Sequence, residues 1–231
     1  MKRTAVVFAL ATVLFFVATA LCLGAVTTPV FADESGLKIV LDAGHGGIDG
    51  GVSGNSGVKE SDINLAICMR LKPMLEEIGM EVVLTRKTSA GLYGAATKGF
   101  KRRDMEKRKE IILDAKPDLV LSIHQNFYPS NRTRGGQVFY KETDEKGKLL
   151  ATALQQSLNG FYEKEGAKAR QIMTGDYFLL NCSSFPSVIV ECGFLSNEKD
   201  ERILKDERGQ KRLAEKIVSG VIEYLSCSSV A

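Results

Sequence analysis

Short apolar runs alternate with longer segments of helical period along most of this chain, and that alternation limits the fold more than any other feature. Strands are predicted at Lys38–Asp42, Glu81–Leu84, Asp118–Ile123, Gln137–Tyr140, Tyr177–Leu180 and Ser187–Val190, most of them rich in Val, Ile, Leu or Phe. Helices are predicted from about Ser61 to Ile78, Arg103 to Ala115, Gly147 to Tyr162 and Gly209 to Leu225. In the last, Leu213, Ile217, Val221 and Leu225 recur every four residues beside Ala214 and Val218, which makes one apolar stripe. Pro73 falls inside the first helix and is expected to kink or divide it. The pattern predicts an α/β fold: a single domain with a twisted, mostly parallel sheet of about six strands and helices on both faces. Ligands of such sheets gather where strands end at their carboxyl edge, so chemistry is expected just after the strands.

The first residues stand apart from this pattern. Lys2 and Arg3 precede an apolar run from Ala5 to Val26, broken only by Thr12 and Thr19, and Val30-Phe31-Ala32 supplies small residues for cleavage. That order is a secretory signal peptide, with an uncleaved membrane anchor as the competing reading. Residues 1–32 are therefore assigned to export or anchoring and residues 33–231 to the working domain, which lies outside the cytoplasm either way. Removing Lys2 and Arg3 lowers the formal charge from +3 to +1, too little excess for a nucleic-acid partner. Cys22 lies in the export run, and Cys68, Cys182, Cys192 and Cys227 show no C-x-x-C spacing, so small buried side chains are expected rather than a disulfide framework.

Both histidines of the chain follow predicted strands: His45 in Asp42-Ala43-Gly44-His45-Gly46-Gly47, and His124 after the run ending at Ile123. A catalytic zinc takes three protein ligands and keeps a fourth position open, so two histidines call for one carboxylate. Glu60, after the glycine-rich loop, is the candidate; a glutamate at a helix start is otherwise a dipole-compensating residue. The same loop does not cradle phosphate, because position 49 is Asp and no Gly-Lys-Ser/Thr follows. Glu191 ends the run Ser187-Val188-Ile189-Val190 and either caps that strand in solvent or acts in the site as general base and acid. Asp42 is a candidate to orient a metal-bound histidine, or it closes its strand. Two other readings stay open on these residues: a cysteine hydrolase pairing Cys192 or Cys182 with His124, and a binding module without catalysis.

Leu41-Asp42-Ala43-Gly44-His45-Gly46-Gly47-x-Asp49-Gly50-Gly51, then Glu60, then Ser122-Ile123-His124-x-Asn126, then Val190-Glu191-Cys192-Gly193-Phe194-Leu195-Ser196-Asn197 resemble the zinc-dependent N-acetylmuramoyl-L-alanine amidases, in order and over nearly all of residues 37–225. The resemblance implies hydrolysis of the amide between N-acetylmuramic acid and L-alanine in peptidoglycan. It implies one zinc held by His45, Glu60 and His124, with Glu191 catalytic. It also matches Arg108 and Asn126 to recurrent family residues, which either shape the cleft or have only a helix-surface or loop role. Thr97-Lys98-Gly99-Phe100-Lys101-Arg102-Arg103 is similar to the spore-cortex amidases, which remove stems so that muramic δ-lactam can form. Ala43 stands where proline is usual, and Gln125 separates His124 from Asn126; neither supplies a ligand. No wall-binding repeat accompanies the domain, so an N-terminal anchor, confinement or a partner protein is expected to hold it near its substrate.

Overall fold

Ile39, Val40 and Leu41 are wholly buried, as a strand with neighbours on both edges and helices on both faces requires. The computed structural model describes residues 36–228, which form one compact unit. The export segment expected at residues 1–32, Cys22 included, lies outside the described residues. The strands are β1 (Lys38–Ala43), β2 (Glu81–Leu84), β3 (Leu119–Asn126), β4 (Gln137–Tyr140), β5 (Met173–Thr174) and β6 (Ser187–Phe194), in the sheet order β2-β1-β3-β6-β4-β5. The pairs from β2 to β6 are parallel, β4 runs antiparallel to β6, and β5 is parallel to β4. The carboxyl ends of β1, β3 and β6 therefore meet along one edge.

The helices are α1 (Glu60–Glu77), α2 (Phe100–Ala115), α3 (Glu145–Lys164), α4 (Phe178–Asn181), α5 (Glu198–Lys205) and α6 (Glu207–Ser228). One face of the sheet, with Ile39, Leu41, Leu121, Ile123, Val188 and Val190, packs with residues of α1, α3 and α6 in the main core. The stripe on α6 does what its spacing predicts: Leu213, Ile217 and Val221 are fully buried there. On the opposite face, Val40 and Val120 pack with Ile112 of α2 and Leu179 of α4. The strand register puts Asp42, Ser122, His124 and Glu191 on this second face, toward the carboxyl edge, because Asp42 pairs with Ser122 and His124 with Glu191.

Several local expectations change. Tyr177–Leu180 is not a strand: Leu179 and Leu180 are both buried, in two neighbouring clusters, and successive burial suits a helical turn lying on the sheet. The sixth strand is instead Met173–Thr174, whose two exposed residues form no apolar run. Pro73 does not divide α1; it sits on the exposed side of the helix, where water can take the carbonyl that its missing N–H leaves free. A further helix, α5, starts where the Asn197 side chain accepts from the N–H groups of Lys199 (3.0 Å) and Asp200 (3.2 Å). Finally, β3 and β6 run past their apolar stretches, so His124 and Glu191 stand within strands rather than after them.

Candidate active site

His45 lies two residues beyond β1, and its backbone is left-handed, with φ of 61°, a conformation that non-glycine residues hold only when their surroundings fix it. Two buried arginines fix it. Arg108 donates to the carbonyls of Ala43 (2.8 Å) and His45 (2.6 Å), while Arg86 donates to those of Ala43 (2.8 Å), Gly44 (3.1 Å) and Ser61 (2.7 Å). Arg108 is held in turn by Asp104 at 2.7 Å and by Asp42. The Asp42 carboxylate also accepts from Thr85 (2.8 Å) and Ser122 (2.6 Å). Burial raises the Asp42 pKa, but Arg108 and the Ser122 hydroxyl outweigh it and keep the group below its usual range. Gly44 has to be glycine for a simpler reason: a Cβ there would overlap the His124 ring.

Glu60 opens α1, and the loop folds back over it so that Val52 N–H donates to its Oε2 at 2.9 Å. Gln125 N–H (3.1 Å) and the Asn64 amide (3.4 Å) donate to Oε1. The same oxygen lies 2.9 Å from His124 Nδ1 and 3.4 Å from His45 Nε2. The two imidazoles meet edge to face with centroids 5.0 Å apart. One ligand atom from each of His45, Glu60 and His124 lies within 4.8 Å of the other two. Donors bound tetrahedrally at zinc distances sit about 3.3 Å apart, so a small closure of the widest gap would complete three ligands and leave a fourth position open. The residues fit the metal.

His45 Nδ1 points away from this cluster to Asp49 Oδ2 at 2.9 Å, and Lys101 Nζ lies 3.4 Å from the other Asp49 oxygen. Asp49 is thus the carboxylate that orients a histidine ring, the part that Asp42 was a candidate for. Asp42 acts on backbone, through Arg108. Burial alone would lower the His45 pKa, but Glu60 and then Asp49 raise it to about 9. Burial would raise that of Glu60, and the two histidines hold it well below the usual carboxylate range.

Glu191 stands on the neighbouring strand, paired in register with His124. Its residue is half-buried, yet its Oε2 is enclosed and has no hydrogen-bond partner, one of three such side-chain atoms among the described residues. Burial pushes its pKa up to about 7, with His124 and His45 pulling down and Glu60 pushing up. Cys192 follows on the opposite face in the main core, and burial and Glu191 push its thiol well up. Cys182 packs under α4, and its Sγ donates to the Leu179 carbonyl at 3.2 Å. Neither thiol is set up as a nucleophile with His124. Asn126 turns its amide oxygen to the N–H of Phe127 (2.8 Å) at the end of β3, apart from the three donors. The sequence reading gave no site role to Arg86, Asp49, Asn64 or Gln125. Arg86 carried a usable signal, since it comes two residues after the parallel strand β2.

The sheet edge thus has the donor set of a metal-dependent hydrolase: two imidazoles and a carboxylate converging on one point, with an unpaired carboxyl on the next strand. Residues 39–223 match the family model described as N-acetylmuramoyl-L-alanine amidase, and the chain belongs to that family. It is an N-acetylmuramoyl-L-alanine amidase acting on peptidoglycan. A germination-specific N-acetylmuramoyl-L-alanine amidase of Bacillus subtilis is 34% identical over 195 residues, covering 83% of this chain and 81% of that protein. Among solved structures, the CwlD amidase of Clostridioides difficile, in complex with the GerS lipoprotein, has a TM-score of 0.78 at 36% identity. That match covers 83% of this chain and 99% of CwlD. The catalytic domain of CwlV from Bacillus (Paenibacillus) polymyxa has a TM-score of 0.70 at 30% identity, covering 82% and 98% of the two chains.

Proposed function

We propose that this amidase is zinc-dependent, with His45, Glu60 and His124 as the ligands and Glu191 as general base and then general acid, and that it acts in spore-cortex maturation. The observation that carries the reading is the convergence of three donors at the sheet edge beside a buried, unpartnered Glu191 oxygen. Zinc, when bound, supplies electrophilic help to the lactyl carbonyl and to the attacking water. The chain's own residues do the rest. Glu191 takes a proton from that water and delivers it to the alanine nitrogen as the C–N bond breaks, leaving a free lactyl carboxylate on muramic acid and a new amino terminus on the stem. A carboxyl near pH 7 suits both halves of that exchange, since it gives up and regains its proton at similar cost. Arg86 and Arg108 hold the backbone that carries His45, and Asp49 selects the ring tautomer that leaves Nε2 free as donor.

The spore role rests on likeness to the germination-specific enzyme of Bacillus subtilis and to CwlD, and it implies stem removal ahead of muramic δ-lactam formation. Residues 1–32 are proposed to direct export or to anchor the enzyme outside the cytoplasm, on the charge and apolar pattern given above. The lipoprotein in the CwlD complex suggests that a protein partner recruits this chain as well. Mass spectrometry of peptidoglycan digested with purified enzyme tests the activity. Free lactyl groups and peptides beginning with alanine are expected, whereas shortened stems or cut glycan strands would contradict it.

A further inference from the structure

Beyond Glu191 along the same edge, Arg170 is held in place with four of its five guanidinium N–H donors unused. Its backbone is gripped by the Asn159 side chain, which accepts from Arg170 N–H (2.9 Å) and donates to its carbonyl (2.9 Å). Its Nε donates to Gln137 Oε1 at 2.7 Å, and its guanidinium lies over the Phe194 ring, 5.1 Å from the centroid. Gln137 is itself fixed by the Gln171 carbonyl. These contacts account for Nε and for one flat side of the group. Neither Nη1 nor Nη2 has a hydrogen bond or ion pair among the described residues. Asp200 acts on Arg170 through its charge, and Asp200 already accepts from Arg134 Nε (3.0 Å), Gly135 N–H (2.7 Å) and Phe194 N–H (3.2 Å). The residue is half-buried, so the unused donors can be reached from outside.

Register places this guanidinium relative to the chemistry. Gln137 pairs across β4 and β6 with Glu191 itself, while Phe194 pairs with Asn126, two residues beyond His124 on β3. Two residues of strand span about 7 Å. In a stem peptide, a carboxylate on the second residue lies roughly that far from the amide nitrogen being released, counting the bonds of one intervening residue at extended spacing. A fixed guanidinium with both terminal NH2 groups free is the group best matched to a carboxylate.

We propose that Arg170 is a specificity-determining residue that binds a free carboxylate on the second residue of the peptide stem and so positions the alanine amide against Glu191. The inference rests on the amidase reading above. It predicts preference for stems whose second residue is a free acid over the same stems amidated there. The test compares wild type, Arg170→Ala and Arg170→Lys on two synthetic muropeptides that differ only in that carboxylate. Arg170→Ala should raise KM on the free-acid stem by about 10-fold or more, as loss of a charge-assisted hydrogen bond implies, with little change in kcat. On the amidated stem the two enzymes should have the same KM, and Arg170→Lys should recover part of the loss on the free acid. Should Arg170→Ala fail to fold, Arg170→Gln is measured in the same way. Equal losses on both substrates, a fall in kcat alone, or an unchanged KM would overturn the proposal. Wild type inactive on both muropeptides would instead count against the amidase reading.

Discussion

Replacing Arg108 with methionine removes a buried cation while keeping most of its volume, and it tests whether the Arg108–Asp42 pair holds the His45 turn. The substitution leaves the Asp42 carboxylate with only the Thr85 and Ser122 hydroxyls, and it strips the His45 carbonyl of its donor. Asp42 and Arg108 have side-chain exposures of 1% and 2%, so solvent cannot take over. Breaking one side of a buried pair costs about 3–5 kcal/mol. In a domain of this size each kcal/mol lowers Tm by about 2–4 °C, so a fall of roughly 6–20 °C is expected by calorimetry at neutral pH. The penalty should shrink toward pH 4, because an unpaired buried Asp42 takes up a proton more readily than the salt-bridged one. Adding Asp42→Asn should restore part of the stability for the same reason. Arg108→Met melting within about 2 °C of wild type, or a double variant no more stable than the single one, would refute this account of the turn.

Other consequences can be measured on the same protein. Because the metal-free His45 has its pKa raised to about 9, it is protonated at pH 7 and zinc must displace that proton. Calorimetric titration in two buffers of different ionisation enthalpy should show proton release at pH 7, and zinc affinity should fall as pH drops below about 9. The metal-free fold carries the matching linkage: stability from His45 is fully present below about pH 6.5 and is lost as pH rises through about 9. Stability from the depressed Glu60 is present above about pH 4.5 and is lost as pH falls through its folded value, which chemical denaturation across pH should trace. Gly44→Ala should abolish zinc retention in elemental analysis, since its methyl group would overlap the His124 ring. Alkylating the cysteines should leave turnover intact while a chelator removes it, because Cys192 is enclosed in the core.

Much of the site was legible because its residues follow apolar runs, at the carboxyl edge where ligands of parallel sheets gather. His124 and Glu191 are ionisable residues directly after long buried runs, and such a position needs a reason. Asp49 was harder to see. Its part depends on how a loop full of left-handed glycines returns to β1, and nothing in the local spacing separates it from Asp42, which sits closer to His45 in sequence. Arg108 was singled out in the sequence and Arg86 could have been, but their action on carbonyl groups could not, since no side-chain pattern announces a carbonyl that lacks a donor. In the fold, the apolar run Tyr177–Leu180 met the compositional test for a strand, while Met173–Thr174 failed it. Tertiary position overrode both: β5 needs only two backbone pairings at an edge, and Leu179 and Leu180 each found a separate pocket on the sheet.

Two glutamates divide two tasks between them, and one paired measurement separates those tasks. Glu60 touches both imidazoles and sits among the donors, while Glu191 stands on the adjacent strand with an unpartnered oxygen. Zinc content and turnover of Glu60→Gln and Glu191→Gln are therefore compared side by side. Glu191→Gln should keep one zinc per chain and lose turnover by about 100-fold or more, as loss of general acid–base help implies. Glu60→Gln should lose zinc itself, because a neutral amide is a poorer donor to a divalent cation than a carboxylate. Zinc lost from Glu191→Gln but retained by Glu60→Gln would contradict the assignment and exchange the two roles.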